Sequence, residues 1–403
     1  MDRKNRAILV IFDDLFTGGA FTLNRAVLSA AQSSLKADII VLTGISPGQT
    51  LDTEWFPYAK KIITYSIPDI GHPRRFFYIA YRTIQLIRSI RKEYLLGGVI
   101  GNIVYSAFAA NLYCSALRIP YAYFYHGALY LEKKSYVQGK INLLRKIKHS
   151  FVHWLHWLLQ YILIQRSTVG CFSTFARRQL NGLFHKHKAN LLSVPFMYHE
   201  TTADEKRAAR KQLGIDPHRF LLVVPSRIEP RKGQDILLRA LSIIPADIKI
   251  AIIFCGPVHP NAVYYFSDLL RVSLPGNIHT FFMGERAPND MWSLYKAADA
   301  TIMPSVKLET LGMVTLESLS VGTPVIAFPT GGSQEILRHF AGLLAKQPDY
   351  KGLATAIQLF LRLPPGQKTL LKKKIMNYIQ QTHGSLTAIT QLKKFIREAG
   401  VTA

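Results

Sequence analysis

Two glutamates stand eight positions apart in the stretch LETLGMVTLES, residues 308–318, which is otherwise largely apolar. Glu309 falls in a predicted loop, and Glu317 lies about one turn inside a helix that we predict to begin near Gly312 and to end at Gly322. Carboxylates accept hydrogen bonds from sugar hydroxyls, so both acids could orient a ligand that contains sugars. A glutamate in the first turn of a helix also complements the helix dipole. The spacing alone therefore leaves both interpretations open.

Basic residues at another predicted strand end complement these acids. In PSRIEPRKGQDILLRAL, residues 225–241, Arg227 follows a predicted strand and Lys232 precedes a helix. A guanidinium can bind two phosphate oxygens and an ammonium supplies a mobile charge, a combination that suits a diphosphate. Pairing with Glu229, or simple solvation, is the alternative. The backbone N–H groups that start the helix near Gly312 offer a further phosphate site.

The elements that must position these residues alternate between short β-branched runs and helical segments. Runs such as AILVIF, ADIIVLT, GGVIGNIVYS and STVGCFS precede residue 200, and the rhythm restarts after residue 215 with RFLLVVPSRIE and IKIAIIFCG. This alternation predicts an α/β fold with two Rossmann-like, doubly wound parallel-sheet domains. We place them at residues 1–199 and 200–385, with a C-terminal helix at 386–403 packing back on the first domain. Two facing domains would form a cleft at the carboxyl ends of their strands.

At this point the sequence resembles the retaining family 4 glycosyltransferases, also called group 1, which have the GT-B fold. The similar segments are SRIEPRKGQDILLRAL, FFMGERAPNDMWSLYKAADATIMPS and LETLGMVTLESLSVGTPVIAFPTGGSQEI, in that order over about 110 residues. The resemblance implies that Arg227 and Lys232 bind the diphosphate of a nucleotide-sugar donor. It also implies that Glu309 lies near the transferred sugar and that Glu317 binds the nucleotide ribose.

The loop between the two acids is expected to contact the donor through its main chain. The resemblance assigns this role to Thr310, Leu311, Gly312, Met313 and Val314. Family members often have a glycine and then an aromatic residue after the first glutamate, where this chain has threonine and leucine. The identity of the sugar therefore stays open.

The first domain resembles the family more loosely. Gly18 and Gly19, in DDLFTGGAFTLNRAVL, correspond to a glycine loop at which backbone approaches the donor diphosphate. His126, in YFYHGALY, stands where family members place a histidine near the transferred sugar, although a lone histidine is more often structural. Asp13 and Asp14 follow the first strand, but no spacing in the sequence makes them metal ligands.

The resemblance implies a hexosyltransferase that moves a sugar from a UDP- or GDP-sugar to a hydroxyl acceptor, with retention at the anomeric carbon. We expect no cofactor and no metal ion, because two cations can stabilise the leaving diphosphate. The leaving phosphate would accept the proton of the acceptor. A phosphorylase or sugar-nucleotide epimerase of the same fold, and a non-catalytic polyanion-binding protein, remain as alternatives.

The formal net charge of +25 predicts an anionic partner. The sequence contains no recognised nucleic-acid motif, so we favour a lipid-linked or cell-envelope glycan as acceptor, at an anionic membrane surface. Residues 143–164 are basic at their start and then aromatic and apolar. They predict either a membrane-surface helix or a core helix. The apolar run at residues 7–12 is too short for a signal peptide, so we expect a cytoplasmic protein, peripheral to the cell membrane.

Overall fold

The chain folds into two compact units in the computed structural model: residues 1–195 with 385–403, and residues 196–384. We call them unit 1 and unit 2. The structure describes residues 5–13, 23, 37–47, 56–68, 74–128, 131, 143–196, 198–307 and 309–401.

Unit 1 is built on a parallel sheet that has seven strands within the described residues, in the order β3-β2-β1-β4-β5-β6-β7. The strands are β1 (Arg6–Phe12), β2 (Asp38–Ile45), β3 (Lys61–Ser66), β4 (Leu95–Gly101), β5 (Tyr121–Tyr125), β6 (Thr168–Cys171) and β7 (Asn190–Leu191). Its helices are α1 (Arg75–Glu93), α2 (Val104–Ala116), α3 (Leu143–Gln165), α4 (Thr174–Phe184) and α13 (Ser385–Glu398). The central strands are apolar along nearly their whole length because helices cover both faces of a parallel sheet.

The helix α13 belongs to unit 1, although unit 2 precedes it in the chain. The ring of Phe395 stacks on Phe124 of β5, with 5.5 Å between the ring centroids. Val401 fills the space beside Gly98 of β4, where an added Cβ would lie 2.6 Å from a methyl group of that valine. The last described residues thus complete the core of unit 1.

Unit 2 has a five-stranded parallel sheet within the described residues, in the order β10-β9-β8-β11-β12. The strands are β8 (Phe220–Pro225), β9 (Ile250–Cys255), β10 (Ile278–Phe282), β11 (Ala300–Met303) and β12 (Val325–Ala327). The helices are α5 (Ala203–Gln212), α6 (Gln234–Leu241), α7 (Val263–Leu270), α8 (Pro288–Ala297), α9 (Met313–Ser320), α10 (Gly331–Leu337), α11 (Tyr350–Leu361) and α12 (Pro365–His383). The strand order reverses between β8 and β11, which is where open sheets of this kind bind ligands.

The predicted fold class is confirmed, because both units are α/β and their strands pair in parallel. One predicted run was wrong in part. GGVIGNIVYS does not form a single strand, since β4 ends at Gly101 and α2 begins at Val104. The carboxylate of Asp13 accepts hydrogen bonds from the backbone N–H groups of Tyr105 and Ser106, which stabilises the start of that helix.

The helix α3 covers the segment 143–164 and divides into two halves. Leu159, Leu163 and Ile164 are buried in the core of unit 1. Phe151 and Trp154, by contrast, are 60% and 52% exposed. The core interpretation therefore holds for the second half only. No helix among the described residues is both long enough and apolar enough to cross a membrane.

Candidate functional site

Three loops meet at the carboxyl edge of the sheet of unit 2, following β8, β11 and β12. The backbone N–H of Val306 donates to the carbonyl of Arg231 at 3.1 Å, which joins the first two loops. The hydroxyl of Thr330 donates to the carbonyl of Ser305 at 2.9 Å, which joins the second and third. We call these segments the strand-end loops. Their mutual hydrogen bonds hold the candidate residues on one edge of the sheet.

Lys232 and Glu309 come from different strand-end loops and form an ion pair, with 2.8 Å between Nζ and Oε2. Their side chains are only 13% and 16% exposed, so solvent screens the pair weakly. Burial acts to raise the pKa of Glu309, but the charge and hydrogen bond of Lys232, with help from Arg231 and Ser305, hold that pKa below its ordinary value. Glu309 is therefore an anion beside a cation at neutral pH.

A second acid in the loop after β8 binds the arginines. Glu229 is buried, and its Oε1 lies 2.8 Å from Arg231 and 3.7 Å from Arg227. The close contact belongs to Arg231, while Arg227 is 39% exposed at the edge. Sequence reasoning weighed Glu229 as a partner of Arg227 but missed Arg231. The signal was present in the sequence. A buried carboxylate needs a nearby cation, and Arg231 lies only two positions from Glu229.

Two glycines let the strand-end loops pack tightly around Glu309. Gly331 has a φ of +58°, and an added Cβ would lie 1.8 Å from the carbonyl oxygen of Glu309. That same oxygen accepts a hydrogen bond from the backbone N–H of Gly332 at 2.8 Å. Gly312 has a φ of +78°, and an added Cβ would lie 2.2 Å from Oγ of Ser333. Side chains at these positions would displace the loop that positions Glu309.

The residues between the two glutamates lead into α9. Thr310 and Leu311 pack against the backbone at Gly332, where an added Cβ would meet main-chain atoms of both at 2.6 Å. The first backbone hydrogen bond of the helix runs from Thr315 to Gly312 at 2.8 Å. The amides of Met313 and Val314 lie before that bond, at the positive end of the helix dipole.

Glu317 lies inside α9 and has a partner that the sequence did not indicate. The hydroxyl of Tyr295, on α8, donates to its Oε2 at 2.7 Å. Burial raises the pKa of Glu317 above its ordinary value, and the hydrogen bond from Tyr295 offsets this only in part. The two acids are thus in opposite electrostatic settings, since among the described residues Glu309 has a cation at hydrogen-bond distance and Glu317 has none.

His126 follows β5 in unit 1. Its Nε2 lies 3.5 Å from Oδ1 of Asn102, and its ring is stacked on Phe172 with 6.1 Å between centroids. Burial lowers the pKa of His126 to about 4, so the imidazole is neutral at pH 7. The predicted glycines Gly18 and Gly19 lie outside the described residues.

Asp13 is buried, and its carboxylate is bound by the backbone at the start of α2. Asp14 lies outside the described residues. In the part of the chain that the structure describes, no three His, Cys, Asp or Glu side chains are grouped so that they could hold a metal ion.

Part of the chain is similar to one family of known proteins. Residues 205–380 match the family described as glycosyl transferases group 1. A GDP-mannose-dependent monoacylated alpha-(1-6)-phosphatidylinositol monomannoside mannosyltransferase of Corynebacterium glutamicum is 30% identical over 230 residues, which cover 55% of each chain. A D-inositol 3-phosphate glycosyltransferase of Rhodococcus jostii is 30% identical over 170 residues, 40% of this chain and 36% of the relative. The matched part thus spans about half, or less, of these relatives.

A solved structure is similar over nearly the whole chain. The crystal structure of Anabaena HepE in complex with UDP and glucose has a TM-score of 0.75 and 20% sequence identity. The similarity covers 97% of this chain and 99% of that one. At this identity the likeness concerns the fold, and it confirms the predicted GT-B class.

Proposed function

Because residues 205–380 match the family described as glycosyl transferases group 1, we propose that this protein transfers a hexose from a UDP- or GDP-sugar to a hydroxyl acceptor, with retention at the anomeric carbon. The observation that carries the proposal is the ion pair between Lys232 and Glu309 at the strand-order reversal of unit 2. It brings a phosphate-binding cation beside an acid that can bind sugar hydroxyls.

The donor diphosphate binds to Arg227, Lys232 and the amides at the start of α9. Arg227 supplies a planar fork for two phosphate oxygens, and Lys232 a point charge. The backbone amides of Met313 and Val314 add the positive end of a helix dipole. The buried carboxylate of Glu229 holds Arg231, 2.8 Å away, so that the basic segment keeps one geometry.

The chemical step breaks the bond between the anomeric carbon and the diphosphate oxygen. A new bond forms on the same face between that carbon and the acceptor oxygen, and the acceptor proton passes to the leaving phosphate. Negative charge grows on the diphosphate as the bond breaks, and cations already in place stabilise it without rearrangement. Because these cations stabilise the leaving diphosphate, the proposed reaction needs neither a cofactor nor a metal ion. The nucleotide sugar is consumed as a substrate.

Glu309 accepts hydrogen bonds from the transferred sugar and Glu317 from the ribose. Tyr295 donates a hydrogen bond to one oxygen of Glu317, at 2.7 Å, which leaves the other oxygen to accept from the ribose. His126, neutral because its pKa is about 4, forms a hydrogen bond with the sugar rather than acting as an acid.

The acceptor in this proposal is a lipid-linked or cell-envelope glycan. Two curated relatives act, by their names, on a phosphatidylinositol mannoside and on inositol phosphate. A net charge of +25 suits an anionic acceptor or an anionic membrane. The protein then works at the cytoplasmic face of the membrane, attached peripherally through residues 143–164.

A screen of nucleotide sugars tests the donor part of the proposal. Thermal unfolding is measured with UDP, GDP, UDP-glucose and GDP-mannose, because a ligand bound only by the native state raises the unfolding temperature. We expect one nucleotide series to stabilise the wild type and not Lys232→Ala. No stabilisation by any nucleotide sugar contradicts the proposal.

Product analysis separates the proposal from its alternatives. Release of nucleoside diphosphate that depends on a hydroxyl acceptor, with an α-anomer formed from an α-linked donor, supports retaining transfer. Consumption of inorganic phosphate would indicate a phosphorylase, and isomerised donor an epimerase. Salt-dependent binding of heparin without donor binding would indicate a polyanion-binding protein.

A further inference from the structure

The outward stripe of α1 is aromatic in its first two turns. Phe77 is 70% and Tyr81 is 60% exposed, and Tyr78 beside them is also exposed. The opposite stripe, with Ile79 and Ile87, is buried in the core of unit 1. Soluble proteins seldom leave several large aromatic side chains together in water, and such patches mark interaction sites.

The first half of α3 presents a second group of exposed apolar residues. Phe151, Val152, Trp154 and Leu155 are all exposed, although the following turns of the same helix enter the core. The rings of Phe151 and Trp154 lie together, with 6.0 Å between their centroids.

A path of ring contacts connects the two groups through α2. Phe77 contacts Phe76 at 5.3 Å, Phe76 contacts Tyr105 at 5.6 Å, and Tyr105 contacts His156 of α3 at 5.7 Å between centroids. The hydroxyl of Tyr105 also lies 2.6 Å from Nε2 of His156. The three helices α1, α2 and α3 therefore pack side by side, with exposed aromatic residues on the outer two.

The sequences of the two helices are strongly basic. Residues 74–92 contain six arginines and lysines, and the one acidic residue of α1 is its last, Glu93, which pairs with Lys61. Residues 143–165 contain Arg145, Lys146 and Lys148, and no acidic residue. Tyrosine and tryptophan beside basic residues are typical of segments that lie at the interface of an anionic membrane.

We propose that α1 and α3 form one docking surface for an anionic lipid bilayer, with Phe77 and Tyr81 inserting on one side and Phe151 and Trp154 on the other. A second copy of the chain is a poor occupant, because it would bring an equal excess of positive charge to the same place. The inference extends the membrane attachment of the proposed function from α3 alone to α1, which the sequence did not single out.

Vesicle co-sedimentation of the full chain tests the surface. Two pairs of substitutions remove it, Phe77→Ser with Tyr81→Ser, and Phe151→Ser with Trp154→Ser. The matched control is Tyr264→Ser with Leu270→Ser on α7 of unit 2, where the side chains are 89% and 57% exposed. We expect each surface pair to weaken binding to phosphatidylcholine vesicles with about 30% phosphatidylglycerol by about tenfold or more, and the control pair to leave it unchanged.

Several outcomes would overturn the proposal. They are unchanged binding of either surface pair, equal binding of the wild type to pure phosphatidylcholine, and a dimer in sedimentation velocity that only the surface pairs dissociate. Quenching of tryptophan fluorescence by brominated lipid gives a second readout. Trp154 should be quenched when it inserts into the bilayer, so Trp154→Phe should lose less fluorescence than the wild type. Thermal shifts with nucleotide sugars are measured without vesicles. If no nucleotide sugar stabilises the wild type, the proposed function is contradicted, whereas the vesicle-binding result still stands.

Discussion

The strand ends of the two units differ in the kind of group that they hold. In unit 2 the edge carries charges in close pairs, Lys232 with Glu309 and Arg231 with Glu229. In unit 1 the edge carries a neutral imidazole, and the carboxylate of Asp13 serves the start of a helix. The family match, at residues 205–380, also falls wholly in unit 2. The difference teaches that two parallel sheets of the same chain can hold opposite electrostatic settings at their strand ends, ion-paired in unit 2 and neutral at His126 in unit 1.

Removal of Lys232 should have the largest effect. We expect Lys232→Ala to lower turnover by about 10²–10³-fold, because a cation aimed at developing negative charge is lost. Unfolding free energy should fall by about 1–3 kcal/mol, because Glu309 loses its partner. Adding Glu309→Gln should restore stability but not turnover, as measured by urea unfolding and donor consumption.

A lysine at the opposite edge of the same sheet provides the control. Lys206 pairs with Asp299 at 2.7 Å, just before β11 begins. Lys206→Ala should leave turnover unchanged. If both lysine variants lose turnover equally, the effect does not depend on the carboxyl edge of the sheet, and the role given to the charged strand ends of unit 2 is contradicted.

Substitution of Gly331 should have the next largest effect. An alanine there would place its Cβ 1.8 Å from the carbonyl oxygen of Glu309. We expect a loss of about 2–4 kcal/mol in unfolding free energy and a donor affinity about tenfold lower. Gly342 also has a positive φ, +82°, but an added Cβ meets nothing within 4 Å. Gly342→Ala should therefore cost only about 1 kcal/mol of backbone strain and leave donor binding intact.

The two acids of unit 2 should show opposite dependence of stability on pH. The pKa of Glu309 is lowered, so its contribution is present above the ordinary pKa of 4.5 and is lost as pH falls below it. The pKa of Glu317 is raised from 4.5, so its contribution is present below that value and is lost as pH rises. Relative to the wild type, Glu309→Gln should lose stability as pH rises toward about 5, and Glu317→Gln should gain stability as pH rises above about 4.5, each on the order of 1 kcal/mol. If the unfolding free energies of both variants, relative to the wild type, change in the same direction with pH, the opposite electrostatic settings are contradicted.

The smallest effect is expected at His126 in unit 1. His126→Gln should slow transfer about tenfold, the worth of one hydrogen bond, and leave donor affinity unchanged. Because the pKa is lowered to about 4, the stability that this residue contributes is present above pH 6.5 and lost as pH falls toward 4. The rate profile should show no step from this imidazole between about pH 5 and 8. If His126→Gln lowered the transfer rate more than Lys232→Ala does, unit 1 and not unit 2 would hold the more important strand end.

The sequence predicted the fold through local patterns. The predicted runs RFLLVVPSRIE and IKIAIIFCG contain β8 and β9, because buried parallel strands are almost continuously apolar. The strand β3 was missed, since it is at the sheet edge, only partly buried, and alternates less clearly. The two halves of α3 could not be distinguished either, because an apolar helix has the same sequence pattern whether protein or another phase covers it.

The site was predictable in its residues but not in its partners. Motif spacing indicated Arg227, Lys232 and the two glutamates. It could not indicate that Lys232 contacts Glu309, 77 positions away, or that Tyr295 binds Glu317, 22 positions away. Such pairs arise only when neighbouring strands bring their loops to one edge. Their roles in binding and catalysis stay predictions until the variants are measured.

The return of α13 to unit 1 has a consequence for the order in which the chain matures during synthesis. Unit 2 is one continuous segment, residues 196–384, and every part of it leaves the ribosome before Phe395 does. Unit 1 receives that aromatic ring and Val401 only afterwards. Domains generally fold as they emerge. Unit 1 therefore cannot complete its core until the whole of unit 2 has been synthesised, although most of unit 1 comes first in the chain.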